Sequence, residues 1–149
     1  MQNSVNLSLL KNLSENVKPV WGIMTPQHMI EHLCQAVQLS NGKLEISECM
    51  NPDEKLPILK RILMSSRPLP QNFVNTVIGA ELKPLKNKSI DEAIIELEKE
   101  INEIDDFFEI NPEAKPINPT FGPLNKEEWM AFHSKHFKHH MKQFGLISN

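Results

Sequence analysis

The stretch Ser89-Ile90-Asp91-Glu92-Ala93-Ile94-Ile95-Glu96-Leu97-Glu98-Lys99-Glu100-Ile101-Asn102-Glu103-Ile104-Asp105-Asp106-Phe107-Phe108 decides the fold. Ile90, Ile94, Leu97, Ile101, Ile104 and Phe108 recur at alternating steps of four and three, the period of one helix face. Ser89 with Glu92 forms a capping-box pattern, and Asp91 and Glu92 suit the positive end of the helix dipole. A steady 4-3 spacing belongs to helices that cross at shallow angles in a bundle. Asn111-Pro112 ends the helix, and a proline-rich loop runs to Pro123.

Further helices lie on either side. Asn125 with Glu128 repeats the capping pattern and opens a helix that stops at Gly145. Upstream, Thr25-Pro26 is a good N-cap followed by proline in the first turn, with Met29, His32, Leu33, Ala36 and Val37 as the inward stripe and Asn41-Gly42 as the stop. Val5, Leu9, Leu10, Leu13 and Val17 predict a helix over residues 4–17. Between residues 43 and 88, Pro52, Pro57, Pro68, Pro70 and Pro84 break the chain into pieces. Leu56 to Met64 forms at most a short helix there, and Asn72 to Leu82 fits helix, strand or irregular structure. Strand signals are nearly absent, so the expected class is all-α with a long irregular connection between the second and third main helices.

The 149 residues are expected to form one domain, 1–149, with 40% hydrophobic and 23% charged residues, as in an ordinary globular protein. Net charge is −3, and the basic cluster Lys135, Lys138 and Lys142 lies on the polar side of one helix. That pattern reads as a solvated face and excludes nucleic acid as the expected partner. No apolar run approaches the roughly 18 residues of a membrane span, and no signal pattern opens the chain, so a cytoplasmic location without membrane association is expected. Cys34 and Cys49 form no CxxC and no disulfide framework. The chain shows no GxSxG elbow, phosphate-cradling glycine loop or Rossmann fingerprint, so no organic cofactor site is expected.

The chemistry concentrates in Phe132-His133-Ser134-Lys135-His136-Phe137-Lys138-His139-His140. His136 and His140 are four apart, about 40° from each other on one helix face. Two imidazoles in that relation can hold one divalent metal. They can also be hydrogen-bonded core or exposed histidines. Trp129, Phe132, His133, His136, Phe137, His140 and Phe144 share a stripe, so these imidazoles lie within or beside an apolar face and need partners there. His32 lies on the edge of an apolar face in the same way.

Trp21-Gly22, Met24, Met29 and His32-Leu33 at one end carry a family resemblance. So do Phe121-Gly122, Leu124, Glu128-Trp129, Lys135-His136, His139-His140 and Gln143-Phe144-Gly145 at the other. Taken together, the chain resembles the DinB-like (DinB/YfiT) superfamily, within it a bacterial branch of unknown function. The resemblance covers nearly the whole chain in order, but is vague between residues 43 and 88. It implies an antiparallel four-helix bundle, often a homodimer, whose divalent metal is held by one histidine near the N-terminus and an H-x-x-x-H pair on the last helix. Those positions are His32, His136 and His140. Family members often follow the pair with Arg-Gly-Gln; here Met141-Lys142-Gln143 stands instead.

His133 is then a hydrogen-bond donor to a ligand side chain, a substrate contact or a core histidine. His28, one turn before His32, is a surface or cavity-mouth residue, or else reaches the same cavity to touch a ligand side chain or the substrate. His139 is expected on the solvated side with the lysines. Glu31 and Glu128 are conceivable general bases with no spacing argument for either, so no catalytic residue is assigned. An all-imidazole site suits zinc or nickel; manganese or iron normally wants a carboxylate as well. Neutral ligands leave the ion's charge uncompensated and a position open, which activates water at about neutral pH or favours a thiolate. The expected function is thus a metal-dependent enzyme acting on a small-molecule substrate, a hydrolase or a low-molecular-weight thiol transferase. The alternative is a non-catalytic bundle with a structural metal or a small-molecule or partner-binding role.

Overall fold

The computed structural model describes residues 7–71 and 82–148. It is mostly helical: α1 spans Pro26–Ser40, α2 Leu56–Leu63, α3 Ile90–Ile110 and α4 Lys126–Gln143. A two-residue antiparallel pair, β1 (Ile117–Asn118) and β2 (Gly122–Pro123), precedes α4. No helix among the described residues is long and apolar enough to cross a membrane.

α1 is the central element, packing on α3 and on α4. Its Met29, Ile30, Leu33 and Val37 are fully buried, as are Leu97 and Ile104 of α3 and Phe137 of α4. Each such side chain stabilises the fold by about 1.5–3 kcal/mol relative to exposure. Thr25 accepts the His28 backbone N–H and Pro26 opens the helix, as expected. In α4 both arms of the Asn125–Glu128 capping box form, at 2.9 Å each. At α3 only one arm does: Ser89 Oγ accepts from Glu92 N, while the Glu92 carboxylate reaches past Ser89 to the backbone N–H of Lys88.

The chain after α4 turns back through Gly145 at φ +70, where Leu146 N bonds Met141 O and Gly145 N bonds Lys142 O. This is a Schellman arrangement, which needs a residue tolerant of positive φ.

Two expectations change. Over residues 4–17 there is a short 3₁₀ helix, Leu7–Asn12, followed by turns; residues 4–6 lie outside the described residues. Leu10 and Leu13 still reach the core. Asn12, Ser14 and Asn16 compete with helical hydrogen bonding, and Val17 N closes a turn on Ser14 O. The proline-rich loop contains the small strand pair, with the Asn118 carboxamide oxygen accepting from the backbone N–H groups of Thr120 and Phe121 inside the turn. Two-residue strands carry no periodicity for a sequence reading to detect. The short helix at 56–63 is present as α2, and most of the ambiguous stretch from Asn72 to Leu82 lies outside the described residues.

Candidate metal centre

α1 carries His32, and α4 carries His136 and His140 one turn apart. Where the two helices pack, the three rings form a nearly equilateral triangle, with centroids 4.8, 4.9 and 4.8 Å apart. Their Nε2 atoms point inward. His136 Nε2 lies 2.9 Å from that of His32 and 3.2 Å from that of His140. With metal–nitrogen bonds of about 2.0–2.1 Å, two nitrogens on one ion stand about 2.9 Å apart at a right angle and about 3.4 Å apart at the tetrahedral angle. The three imidazoles are therefore spaced to hold one metal ion, and they form such a group among the described residues without a fourth side chain.

Hydrogen bonding sets the protonation of the ring that can be assigned. Gln143 Nε2 donates to the Trp21 carbonyl at 3.1 Å, which turns its Oε1 towards His140 Nδ1 at 2.6 Å. An amide oxygen only accepts, so His140 carries its proton on Nδ1 and presents a bare lone pair at Nε2. Orientation of a ligating imidazole through its other nitrogen is the usual support of a metal site. Gly22, at φ +82, lets the chain pass this point: a Cβ there would stand 2.8 Å from Gln143 Nε2.

His136 cannot be satisfied by the protein alone. Its Nδ1 is buried with no partner among the described residues. A proton on Nε2 serves only one of its two neighbours and leaves a bare nitrogen buried; a proton on Nδ1 buries an N–H with no acceptor. A cation at the focus of the three Nε2 atoms is met by all three lone pairs at once, so the residues present fit the group. Burial pushes all three rings down in pKa, His32 to about 4 and His136 and His140 well below the ordinary range, reinforced at His136 and His140 by the neighbouring rings and at His32 by Lys83 and His139. They are neutral near pH 7, the state in which imidazole donates a lone pair.

The other candidates lie apart. His133 is fully buried, and its Nε2 donates at 2.8 Å to Ser40 Oγ, whose own proton goes to the Val37 carbonyl. Its ring rests on Trp129. It is a core histidine, committed away from the three. His28 is partly exposed and pairs through Nδ1 with Thr25 Oγ1 at 2.6 Å beside the helix cap. Glu31 holds the backbone N–H groups of Lys86 and Asn87, at 2.8 and 3.0 Å, and thereby ties the entry to α3 onto α1. Glu128 is spent on the α4 cap and on Lys60. Trp129 is buried and clamps the Pro116 carbonyl. The Cys34 thiol is buried and bonded to Glu96, which with burial suppresses its ionisation.

The solvated side assigned to α4 needs correction. His139 is half-buried, with its ring against Trp21 at 5.5 Å and against His140 at 4.9 Å. Lys135 is half-buried too, its Nζ donating to the Ile62 carbonyl at 2.9 Å. The segment after α2 folds over this side, a long-range event that helix periodicity does not register. Gln143 and the Trp21 carbonyl had no assigned role in the sequence reading. The available signal was Gln143 standing three residues beyond His140, within reach of its ring.

Comparison with curated proteins and with solved structures finds no significant match. A family model does match, across both helices that carry the histidines: the chain belongs to the family described as "protein of unknown function (DUF1569)", over residues 27–145.

Proposed function

We propose that this protein is a metal-dependent enzyme acting on a small molecule, as a hydrolase or a low-molecular-weight thiol transferase, with the ion held by His32, His136 and His140. One observation carries the reading: three neutral imidazole nitrogens converge, and no fourth protein ligand joins them among the described residues. Structural zinc sites close with four protein ligands, whereas catalytic sites keep a position for water or substrate. A donor set of three imidazoles with no carboxylate suits zinc or nickel. When bound, such an ion supplies Lewis acidity that polarises a substrate oxygen or stabilises a thiolate.

The protein's own residues do the rest. Gln143 fixes the His140 ring, Phe132 backs His136 at a centroid distance of 5.0 Å, and α1 presents His32 from the opposite side. His32 is the least buried of the three. The proposal extends to a DinB-like four-helix bundle forming one domain, to a homodimer and to a cytoplasmic location; the resemblance at Trp21-Gly22, His32 and His136 to Gly145 supports the first two.

Metal analysis of purified protein, followed by assays of the loaded protein on esters, amides, lactones and thiol–electrophile pairs, tests the reading. About one zinc or nickel per chain, with turnover lost on chelation and restored by the ion, is the expected result. An ion coordinated by a fourth side chain, seen by X-ray absorption as a closed all-protein shell, refutes the catalytic reading and leaves a structural metal.

A further inference from the structure

A different side of α4 borders a second feature. A cavity of about 760 Å³ lies between α4 and the segment that follows α2, within the size range of small-molecule sites. Arg67, Lys135, Lys138 and Lys142 all line it, and no aspartate or glutamate does so among the described residues. None of the four cations takes part in an ion pair among the described residues. This concentration is unexpected in a chain of net charge −3.

A solvated helix face would explain lysines that project freely from α4. These lysines instead line a concavity whose other wall is pinned in place. Lys135 Nζ donates to the Ile62 carbonyl just ahead of that wall. Holding like charges together across a cavity is unfavourable unless something of opposite charge enters. The rest of the lining mixes Ser65, Ser66, Gln71, Ser134 and His139 with apolar side chains, of which Trp21 and Leu69 offer surface for a hydrocarbon or aromatic body.

We propose that this cavity binds a small organic phosphate, its head held by Lys138, Lys142 and Arg67 and its apolar body lying on Trp21 and Leu69. Lysine and arginine donors to phosphate form charge-assisted hydrogen bonds, about twice as strong as neutral ones. The site is separate from the three histidines but shares a wall with them: the His139 ring lies between Trp21 and His140. Its occupancy does not depend on the metal reading.

Calorimetric titration of the full chain, stripped of metal with a chelator so that no anion can bind through an ion, tests the assignment with phenyl phosphate as probe. Phenyl phosphate is expected to saturate one site per chain, with inorganic phosphate weaker and phenol silent. The double variant K138Q/K142Q should weaken phenyl phosphate by about tenfold or more, and K138R/K142R should stay within about threefold of the parent. R67Q, on the opposite wall, is expected to weaken it independently, and circular dichroism checks that each variant is folded. Absence of saturable binding overturns the proposal, as does unchanged affinity in both the double glutamine variant and R67Q, or phenol binding as tightly as phenyl phosphate. Equal affinity for inorganic and phenyl phosphate overturns the role given to the apolar wall.

Discussion

Replacing Gln143 with leucine separates a support of the metal centre from its ligands. The change keeps side-chain volume roughly constant and touches no ligand atom. It removes the acceptor 2.6 Å from His140 Nδ1 and the donor 3.1 Å from the Trp21 carbonyl. His140 is then free to protonate on Nε2, the nitrogen that faces the other two rings. Loss of such an outer partner typically costs about 10–100-fold in metal affinity, or about 1.4–2.7 kcal/mol. The metal-free fold should also lose about 1–3 kcal/mol for each buried group left without its partner. Zinc affinity measured by competition with a chromophoric chelator gives the first quantity. Urea unfolding in excess chelator gives the second. Q143E retains an acceptor at the ring and should bind zinc within an order of magnitude of the parent. A folded Gln143→Leu protein with parental zinc affinity would refute the argument that Gln143 sets the state of His140.

The ligands themselves should show larger effects. His32→Ala, His136→Ala and His140→Ala should each weaken zinc or nickel binding well beyond Gln143→Leu, and unchanged affinity in all three removes the site. Gly22→Ala should destabilise the fold by about 1–2 kcal/mol, since alanine is strained at φ +82 and its Cβ meets the Gln143 amide; a melting temperature equal to the parent's contradicts this. Acid should destabilise the metal-free protein through His133, held by burial at about 3 against an ordinary 6.5. A histidine depressed in the folded state contributes stability above the unfolded value, lost as pH falls from 6.5 towards 3. Urea midpoints between about pH 7 and pH 4 should fall less steeply in a folded His133→Gln variant, and equal slopes oppose the assignment. Light scattering should give a homodimer, and a monomer at every concentration tested counters that part of the proposal.

What the sequence disclosed followed from local rules. α1, α3 and α4 were legible because each couples a cap to a 3.6-residue stripe: Thr25-Pro26, Ser89 and Asn125 mark the starts, and Asn41-Gly42 and Gly145 mark two of the ends. The pairing of His136 with His140 was legible for the same reason, since i and i+4 share a face in any helix. That His32 meets them depends on how α1 packs against α4, over a separation of 104 residues, and no periodicity reports it. The family resemblance supplied that expectation. The errors share one cause. His139 and Lys135 lie on what a helical wheel calls the polar side, but a wheel treats everything outside the apolar stripe as water. The segment from Leu63 to Gln71, broken by Pro68 and Pro70, covers that side in the folded chain. Leu7–Asn12 failed differently: Leu10 and Leu13 are buried as the apolar stripe required, but the helix ends at Asn12, ahead of Ser14 and Asn16, which disfavour its continuation.

The metal centre is built on a conflict that the fold does not relieve. His136 and His140 occupy positions where hydrophobic side chains would pack without hydrogen-bonding demands, on a stripe shared with Trp129, Phe132 and Phe137. Burying an unpartnered imidazole nitrogen costs about 1–3 kcal/mol, and the His136 ring leaves one unsatisfied in either tautomer. A core selected for stability alone would have no reason to retain that arrangement. His133, on the same stripe, also buries an Nδ1 without a partner among the described residues, but its Nε2 is met by Ser40, which itself passes a proton to Val37. At His136 it is Nε2 that differs, facing the Nε2 atoms of both His32 and His140. A neutral imidazole nitrogen can donate to only one of two such neighbours, whereas a positive charge at their focus is met by all three lone pairs. Zinc or nickel should therefore raise the unfolding midpoint of the parent by more than that of Gln143→Leu, and should leave His136→Ala nearly unmoved. Equal stabilisation of parent and His136→Ala would place the ion elsewhere on the molecule.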